Sequence, residues 1–145
     1  MHAFEIRPLV GIGPLVFGMG RDEARALLDR LGGGPCLLRT FTMPDTLPAD
    51  TFFHSAFQVF YDETERVEFI ECSREESFSA TLEGKELLEM LADDAVDFLA
   101  GRAPGRWEED GTTYLTPSLQ VSLWRETTLE RSFDTVGAGQ AGYYK

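Results

Sequence analysis

The sequence predicts an α+β fold, in which an antiparallel sheet of about six to eight strands carries two helices packed on one face. Two segments have the apolar spacing of helices, and the residues around them alternate as strands do, with short polar turns between. The chain has 145 residues, of which 43% are hydrophobic, and this suits a single domain over residues 1–145. Because the order of a helix followed by strands occurs twice, it is compatible with a degenerate duplication of a helix-plus-meander unit.

The first predicted helix begins near Gly20 and ends before three consecutive glycines, with acidic residues in its first turn. Its apolar residues recur at the helical spacing i, i+3, i+4 and i+7: Ala24, Leu27, Leu28 and Leu31. We therefore expect the three leucines to be buried against the sheet.

The second predicted helix covers residues 85–100 and stops at Gly101. Leucine, alanine and phenylalanine occupy one face, and acidic residues occupy most of the other. Four of these acids are candidates for binding a partner: Glu86, Glu89, Asp93 and Asp94.

The predicted strands are short runs rich in aromatic and β-branched residues, bounded by proline, glycine and polar turns. They cover residues 4–9, 37–43, 52–61, 66–72, 77–82, 112–115, 119–124 and 132–136. The polar residues 62–65 predict a hairpin turn between two of them.

The net charge of −12 is concentrated in the middle of the chain. Residues 62–97 hold thirteen acids against three bases, a net charge of −10. Such a field repels nucleic acid and lipid headgroups and attracts basic proteins. We therefore expect a basic protein partner, and no binding to nucleic acid or to membranes.

The cysteines and the hydropathy pattern predict a cytoplasmic protein. Cys36 and Cys72 lie far apart in apolar stretches, so we expect two buried free thiols rather than a disulfide or a zinc site. No apolar run approaches the roughly 18–20 residues of a membrane span.

Candidate catalytic groups are few. The chain has two histidines, His2 and His54, and we expect no metal ion and no cofactor. His54 and Cys72 could form a thiol and imidazole pair, but no third orienting group accompanies them. We therefore interpret His54 as a hydrogen-bonded strand residue.

Glu68 and Glu71 interrupt an apolar strand and are the other weak catalytic candidates. Their odd spacing predicts that the two side chains lie on opposite faces of the strand. A carboxylate on the covered side would pair with Arg39 or Arg125, or would lie in a pocket with a raised pKa. Of these two arrangements, we expect the ion pair with Arg39 or Arg125.

Four aromatic residues in the last third are candidate partner-binding residues: Trp107, Trp124, Tyr143 and Tyr144. Alternation in its strand places Trp124 on the polar face, which suits an interface anchor. The alternative is that Tyr143 and Tyr144 fold back over the Trp124 ring.

Short motifs near both ends and in the middle resemble those of a group of small uncharacterised bacterial proteins. Residues 11–19 have the pattern G-x-G-P-x-x-F-G-M, residues 67–71 are V-E-F-I-E, residues 122–125 are S-L-W-R, and residues 142–144 are G-Y-Y. More distantly, F-G-M before a helix and then a hairpin resembles the repeat of β-lactamase inhibitor proteins and of outer-membrane assembly lipoproteins. No lipidated cysteine opens this chain, so the resemblance implies no membrane role, and it transfers no functional residue.

These observations support one leading hypothesis and two alternatives. The leading one is a cytoplasmic, acidic protein-binding module, of the immunity or antitoxin-like kind, that covers a basic partner. The first alternative is a small hydrolase or ligand-binding domain that uses Glu68 or Glu71 with His54. The second is a structural or dimeric accessory domain that associates through Trp124 and Tyr143.

Overall fold

The computed structural model describes residues 1–144, which contain two α-helices and twelve strands. The helices are α1 (Arg21–Arg30) and α2 (Ala92–Ala100). The strands are β1 (His2–Arg7), β2 (Gly11–Ile12), β3 (Leu15–Val16), β4 (Leu37–Arg39), β5 (Ala49–Phe52), β6 (Phe57–Tyr61), β7 (Val67–Ser73), β8 (Phe78–Thr81), β9 (Arg106–Trp107), β10 (Thr113–Thr116), β11 (Val121–Trp124) and β12 (Thr135–Gly139).

The described strands form two sheets. The small sheet has the order β3-β2-β1-β8, and the large sheet has the order β4-β5-β6-β7-β12-β11-β10-β9. Neighbouring strands are antiparallel throughout, except that β1 pairs with β8 in parallel. The predicted α+β fold built on an antiparallel sheet is confirmed.

The large sheet repeats one arrangement. Helix α1 precedes the meander β4–β7, and α2 precedes the meander β9–β12. The two meanders meet where β7 pairs antiparallel with β12. The order of a helix followed by a meander therefore occurs twice in space as well as in sequence.

The core lies on one face of the large sheet, which we call the inner face. Side chains of alternate residues, such as Phe57, Ile70 and Leu123, are fully buried there. The same buried cluster includes Leu28 of α1, Leu99 of α2, and residues of the small sheet. Both helices therefore contribute to one core beside the inner face, and the small sheet, which was not predicted as a separate sheet, completes it.

The second predicted helix is shorter than residues 85–100. A 3-10 turn covers Leu87–Glu89, the chain then extends through Met90 and Leu91, and α2 begins at Ala92. A continuous helix would place Leu87, Leu88 and Leu91 on one face. The break buries Leu87 and Leu88 in the core and leaves Leu91 55% exposed. Neither of the described helices is long and apolar enough to cross a membrane.

The predicted strand over residues 52–61 is also interrupted. Phe53, His54 and Ser55 have φ values of 52°, 57° and 68°, a left-handed turn that joins β5 to β6. The turn lets these two strands pair with each other, and it keeps the Phe53 ring buried. His54 is therefore a turn residue, and its interpretation as a strand residue is wrong.

The two cysteines differ in environment. Cys72 is buried on the inner face, as expected, but Cys36 is exposed. Cys36 follows the run of glycines after α1 and precedes β4, whose three residues are all exposed. The expectation of two buried thiols is wrong for Cys36, and both thiols are free.

Candidate functional site

The face of the large sheet opposite the core carries a cavity of about 180 Å³, which we call the outer-face cavity. Its lining comes from β7, β10, β11, β12 and the C-terminal segment: Phe69, Glu71, Thr113, Ser122, Trp124, Thr135, Gly137 and Tyr144. The cavity brings together one candidate carboxylate and two candidate aromatic residues that lie far apart in the sequence.

Gly137 forms the floor of this cavity. The strand register places Gly137 directly between Glu71 on β7 and Ser122 on β11. A Cβ atom at this position would lie 2.4 Å from Cζ of Phe69 and 2.8 Å from Oγ of Ser122. Because glycine has no side chain, the Phe69 ring can lie across the strand and the space between Glu71 and Ser122 stays open.

The C-terminal segment forms one wall. Tyr143 stacks on Phe69 with ring centroids 4.5 Å apart, and the Tyr144 hydroxyl lies 2.9 Å from Oγ of Ser122. Gln120 holds the backbone of Tyr144 by accepting its N–H at 2.6 Å and donating to its carbonyl at 3.0 Å. The two tyrosines therefore fold back within one chain, and they pack on Phe69 and Ser122. The alternative expectation was that they cover the Trp124 ring, but Trp124 remains 42% exposed.

Replacing Tyr143 by alanine is expected to lower the free energy of unfolding by about 1–3 kcal/mol, because the substitution uncovers the Phe69 ring. Urea denaturation of the two proteins measures this difference. Tyr143→Phe keeps the stacked ring and should be close to the wild type. A Tyr143→Ala protein of unchanged stability would show that the C-terminal segment is not packed on the sheet in solution.

The Glu71 carboxyl is half-buried, and none of residues 1–144 gives it a hydrogen bond or an ion pair. Burial raises its pKa, and the positive charge of Arg39 offsets only part of this effect. Arg39 donates instead to Gln58 at 2.6 Å, and Arg125 donates to the backbone carbonyl of Gly111. The predicted ion pair with Arg39 or Arg125 is therefore not formed.

Glu68 has a raised pKa as well, because of burial and the nearby charges of Asp62 and Glu63. The pairing of β6 with β7 shifts register between Phe60 and Tyr61, beside Glu68. Simple alternation along β7, which placed Glu68 and Glu71 on opposite faces, does not hold through this irregularity. Burial raises the pKa of Tyr143 to about 12, and Tyr144 and both carboxylates add to the effect, so both glutamates lie near the C-terminal segment.

His54 lies outside this cavity. Its side chain is 87% exposed, and its Nδ1 atom is 3.4 Å from a carboxylate oxygen of Glu75. Cys72 is fully buried, and burial raises the pKa of its thiol. An exposed imidazole and a core thiol do not form a catalytic pair, and His54 does not assist Glu71.

Trp107 belongs to the other side of the sheet. The register aligns it with Tyr114 and Leu123, which point to the inner face. Its ring lies 5.7 Å from Phe133, and the Arg125 guanidinium covers it at 4.6 Å. Trp107 and Trp124 therefore do not form one binding surface.

The four acidic candidates around α2 are all exposed: Glu86, Glu89, Asp93 and Asp94. We call them the acidic ridge. None of them forms an ion pair or a hydrogen bond with another side chain among residues 1–144. Leu91 is 55% exposed and Leu129 is 90% exposed, and both leucines line a surface groove of about 360 Å³ together with Asp93, Arg125 and Arg131. Glu86 and Glu89 line a different pocket, beside Arg74.

The sequence interpretation missed a buried charged cluster at the other end of the large sheet. Asp50 is fully buried and accepts two hydrogen bonds of 2.8 Å from Arg25 and one of 2.7 Å from the Tyr61 hydroxyl. The Nε atom of Arg21 lies 3.6 Å from the same carboxylate, and the Arg21 guanidinium stacks over the Tyr61 ring. Burial opposes ionisation, but these hydrogen bonds and charges prevail, and the pKa of Asp50 is lowered.

This cluster is structural, because its polar groups are directed at one another and join α1 to β5 and β6. A signal was present in the sequence, since Arg21 and Arg25 are four residues apart and share one face of a helix. The partner could not be identified from the sequence, because Asp50 follows Pro44 and Pro48 in a segment whose composition predicts a surface loop.

Comparisons with protein-family models, with curated proteins and with solved structures found no match to this chain. Among the residues that the structure describes, no group of three or more histidine, cysteine, aspartate or glutamate side chains could hold a metal ion.

Proposed function

We propose that this protein is a cytoplasmic protein-binding module, of the immunity or antitoxin-like kind, that covers a basic surface of its partner with the acidic ridge. The observation that carries the proposal is the pairing of unpartnered, exposed carboxylates with two exposed leucines beside α2. The central net charge of −10 supplies a field that attracts basic proteins.

The two kinds of side chain have different roles in this proposal. The carboxylates speed association and select a partner of opposite charge, and salt weakens their effect. Leu91 and Leu129 supply apolar area that becomes buried on binding, worth up to about 1.5–3 kcal/mol for each fully buried side chain. A surface with both features binds a protein rather than a small polyanion or a lipid headgroup.

The test compares two variants of equal net charge. In the first, the acidic ridge is neutralised by Glu86→Gln, Glu89→Gln, Asp93→Asn and Asp94→Asn. In the control, four other exposed glutamates are neutralised by Glu63→Gln, Glu76→Gln, Glu109→Gln and Glu126→Gln. This protein is used as bait to capture proteins from the source cell at low salt, and the captured proteins are identified. The one that binds stoichiometrically is then titrated calorimetrically against each variant.

We expect a stoichiometric, basic protein whose affinity falls at least about tenfold with the ridge variant and changes little with the control. Leu129→Ala should weaken the same complex without changing the salt dependence. An equal loss in both variants would mean that only the total charge matters, and it would contradict a defined binding face. A second copy of this chain as the partner, found by sedimentation, would contradict the proposal as well.

A further inference from the structure

The outer-face cavity is lined by the Glu71 carboxyl, which forms no hydrogen bond or ion pair with the rest of the described structure. Partial burial weakens the hydration of a carboxylate, so a half-buried carboxylate without a protein partner gains from a donor that enters its cavity. The Glu71 carboxyl has no such partner among residues 1–144, although hydroxyl groups and rings surround it. The strongest hydrogen bonds to a carboxylate come from donors that carry positive charge.

We propose that the outer-face cavity binds an organic cation, an alkylammonium or guanidinium group, between the Glu71 carboxylate and the rings of Trp124 and Tyr144. This site is separate from the acidic ridge, and the inference does not depend on the proposed function. The ligand group is the end of an amine, either free in solution or on a lysine or arginine side chain.

The aromatic walls favour a cation over a neutral ligand. The faces of aromatic rings are negative, and tryptophan attracts cations best among them. Trp124 offers a ring that is 42% exposed, and Glu71 adds a full negative charge when it is ionised. A sugar would also stack on these rings, but it would leave the carboxylate without a charged partner.

The walls are held in place before any ligand arrives. Tyr144 is fixed by Ser122 and by the side chain of Gln120, and Phe69 is fixed by the stacked ring of Tyr143. Preorganised walls reduce the entropy that binding costs. The cavity of about 180 Å³ has room for a charged head group rather than a whole drug-sized molecule.

Hydroxyl groups around the cavity select cations that carry N–H donors. Ser122, Thr113 and Thr135 line it, and a hydroxyl oxygen has two lone pairs, so each can accept a further hydrogen bond. A primary ammonium or a guanidinium can use these acceptors, and a quaternary ammonium cannot. Binding should therefore be strongest for primary amines and guanidines.

Binding should depend on pH because it requires ionised Glu71. Burial without a partner raises the pKa of Glu71, and a bound cation favours the ionised form. Affinity should therefore fall as the pH drops through the pKa of Glu71 in the free protein. The other charged or titratable groups around the site are Arg39, Glu68, Glu108, Tyr143 and Tyr144, and the Cys72 thiol follows Glu71 on the inner face of the same strand.

The test is a calorimetric titration of the whole protein with 1,4-diaminobutane and with a short lysine peptide blocked at both ends. Glucose and tetramethylammonium are the neutral and the quaternary controls. We expect both amines to bind and Glu71→Gln to weaken binding at least about tenfold, or about 1.4 kcal/mol. Trp124 is 42% exposed and lies outside the buried core, so Trp124→Ala is the second variant, and it should weaken binding too.

The two amines distinguish the source of the cation. Tighter binding of the diamine would identify a free amine as the ligand, and tighter binding of the peptide would identify a partner's side chain. The acidic-ridge variant should keep the affinity for both probes, so this inference and the proposed function fail separately. The inference is overturned if neither amine binds, if glucose binds in their place, or if Glu71→Gln binds the amines as well as the wild type does.

Discussion

Replacing Asp50 by alanine is expected to lower the free energy of unfolding by about 3–5 kcal/mol, as removal of one partner of a buried ion pair does. The substitution removes the acceptor of both Arg25 hydrogen bonds and the buried counter-charge of Arg21, which keeps only its ion pair with the exposed Glu65. It also removes the acceptor of the buried Tyr61 hydroxyl. Chemical denaturation measures the loss, which is a large part of a typical total of about 5–15 kcal/mol.

Asp29→Ala on α1 is the matched control for this prediction. Asp29 is exposed near the C-terminal end of the helix, where a negative charge is unfavourable, so its removal should leave stability unchanged or slightly higher. Equal stability of the two variants would show that Asp50 is not the group that joins α1 to the large sheet.

The same cluster predicts a pH dependence with a definite sign. The folded protein lowers the pKa of Asp50, so this group stabilises the fold above the unfolded value of about 4. That contribution is lost as the pH falls through the lower, folded pKa. Stability measured from neutral to acidic pH should therefore fall less steeply in Asp50→Asn than in the wild type.

Local patterns were sufficient for the parts of the fold that depend on local spacing. The helical period around Leu28 places α1 within a residue of its observed start. In the second helical segment Leu87, Leu88 and Leu91 also have helical spacing, but the continuous helix that this spacing predicts does not form. There the chain buries the first two and leaves Leu91 55% exposed, because the backbone extends between the 3-10 turn and α2.

The outer-face cavity could not be predicted, because it depends on contacts between distant residues. Glu71 and Ser122 become neighbours only through the pairing of β7, β12 and β11 around Gly137. Tyr143 and Tyr144 pack on Phe69 because Gln120, which is 24 residues before Tyr144 in the sequence, holds the backbone of Tyr144. The sequence identified Glu71 as a candidate catalytic residue and Trp124 and Tyr144 as candidate partner-binding residues. Nothing in the sequence indicated that the three side chains lie together.

Leu28→Ala is expected to lower the free energy of unfolding by about 2–5 kcal/mol, through lost apolar burial and the cavity left behind. Leu28 is fully buried in the core cluster, whereas Leu27 and Leu31, which were also expected to be buried, are only partly buried. Replacing Leu27 or Leu31 by alanine should therefore cost less stability than Leu28→Ala.

Leu129→Ala is the matched control, because that side chain is 90% exposed and its removal should change stability by no more than about 0.5 kcal/mol. If urea denaturation gives Leu28→Ala and Leu129→Ala the same stability, α1 does not pack into the core through Leu28.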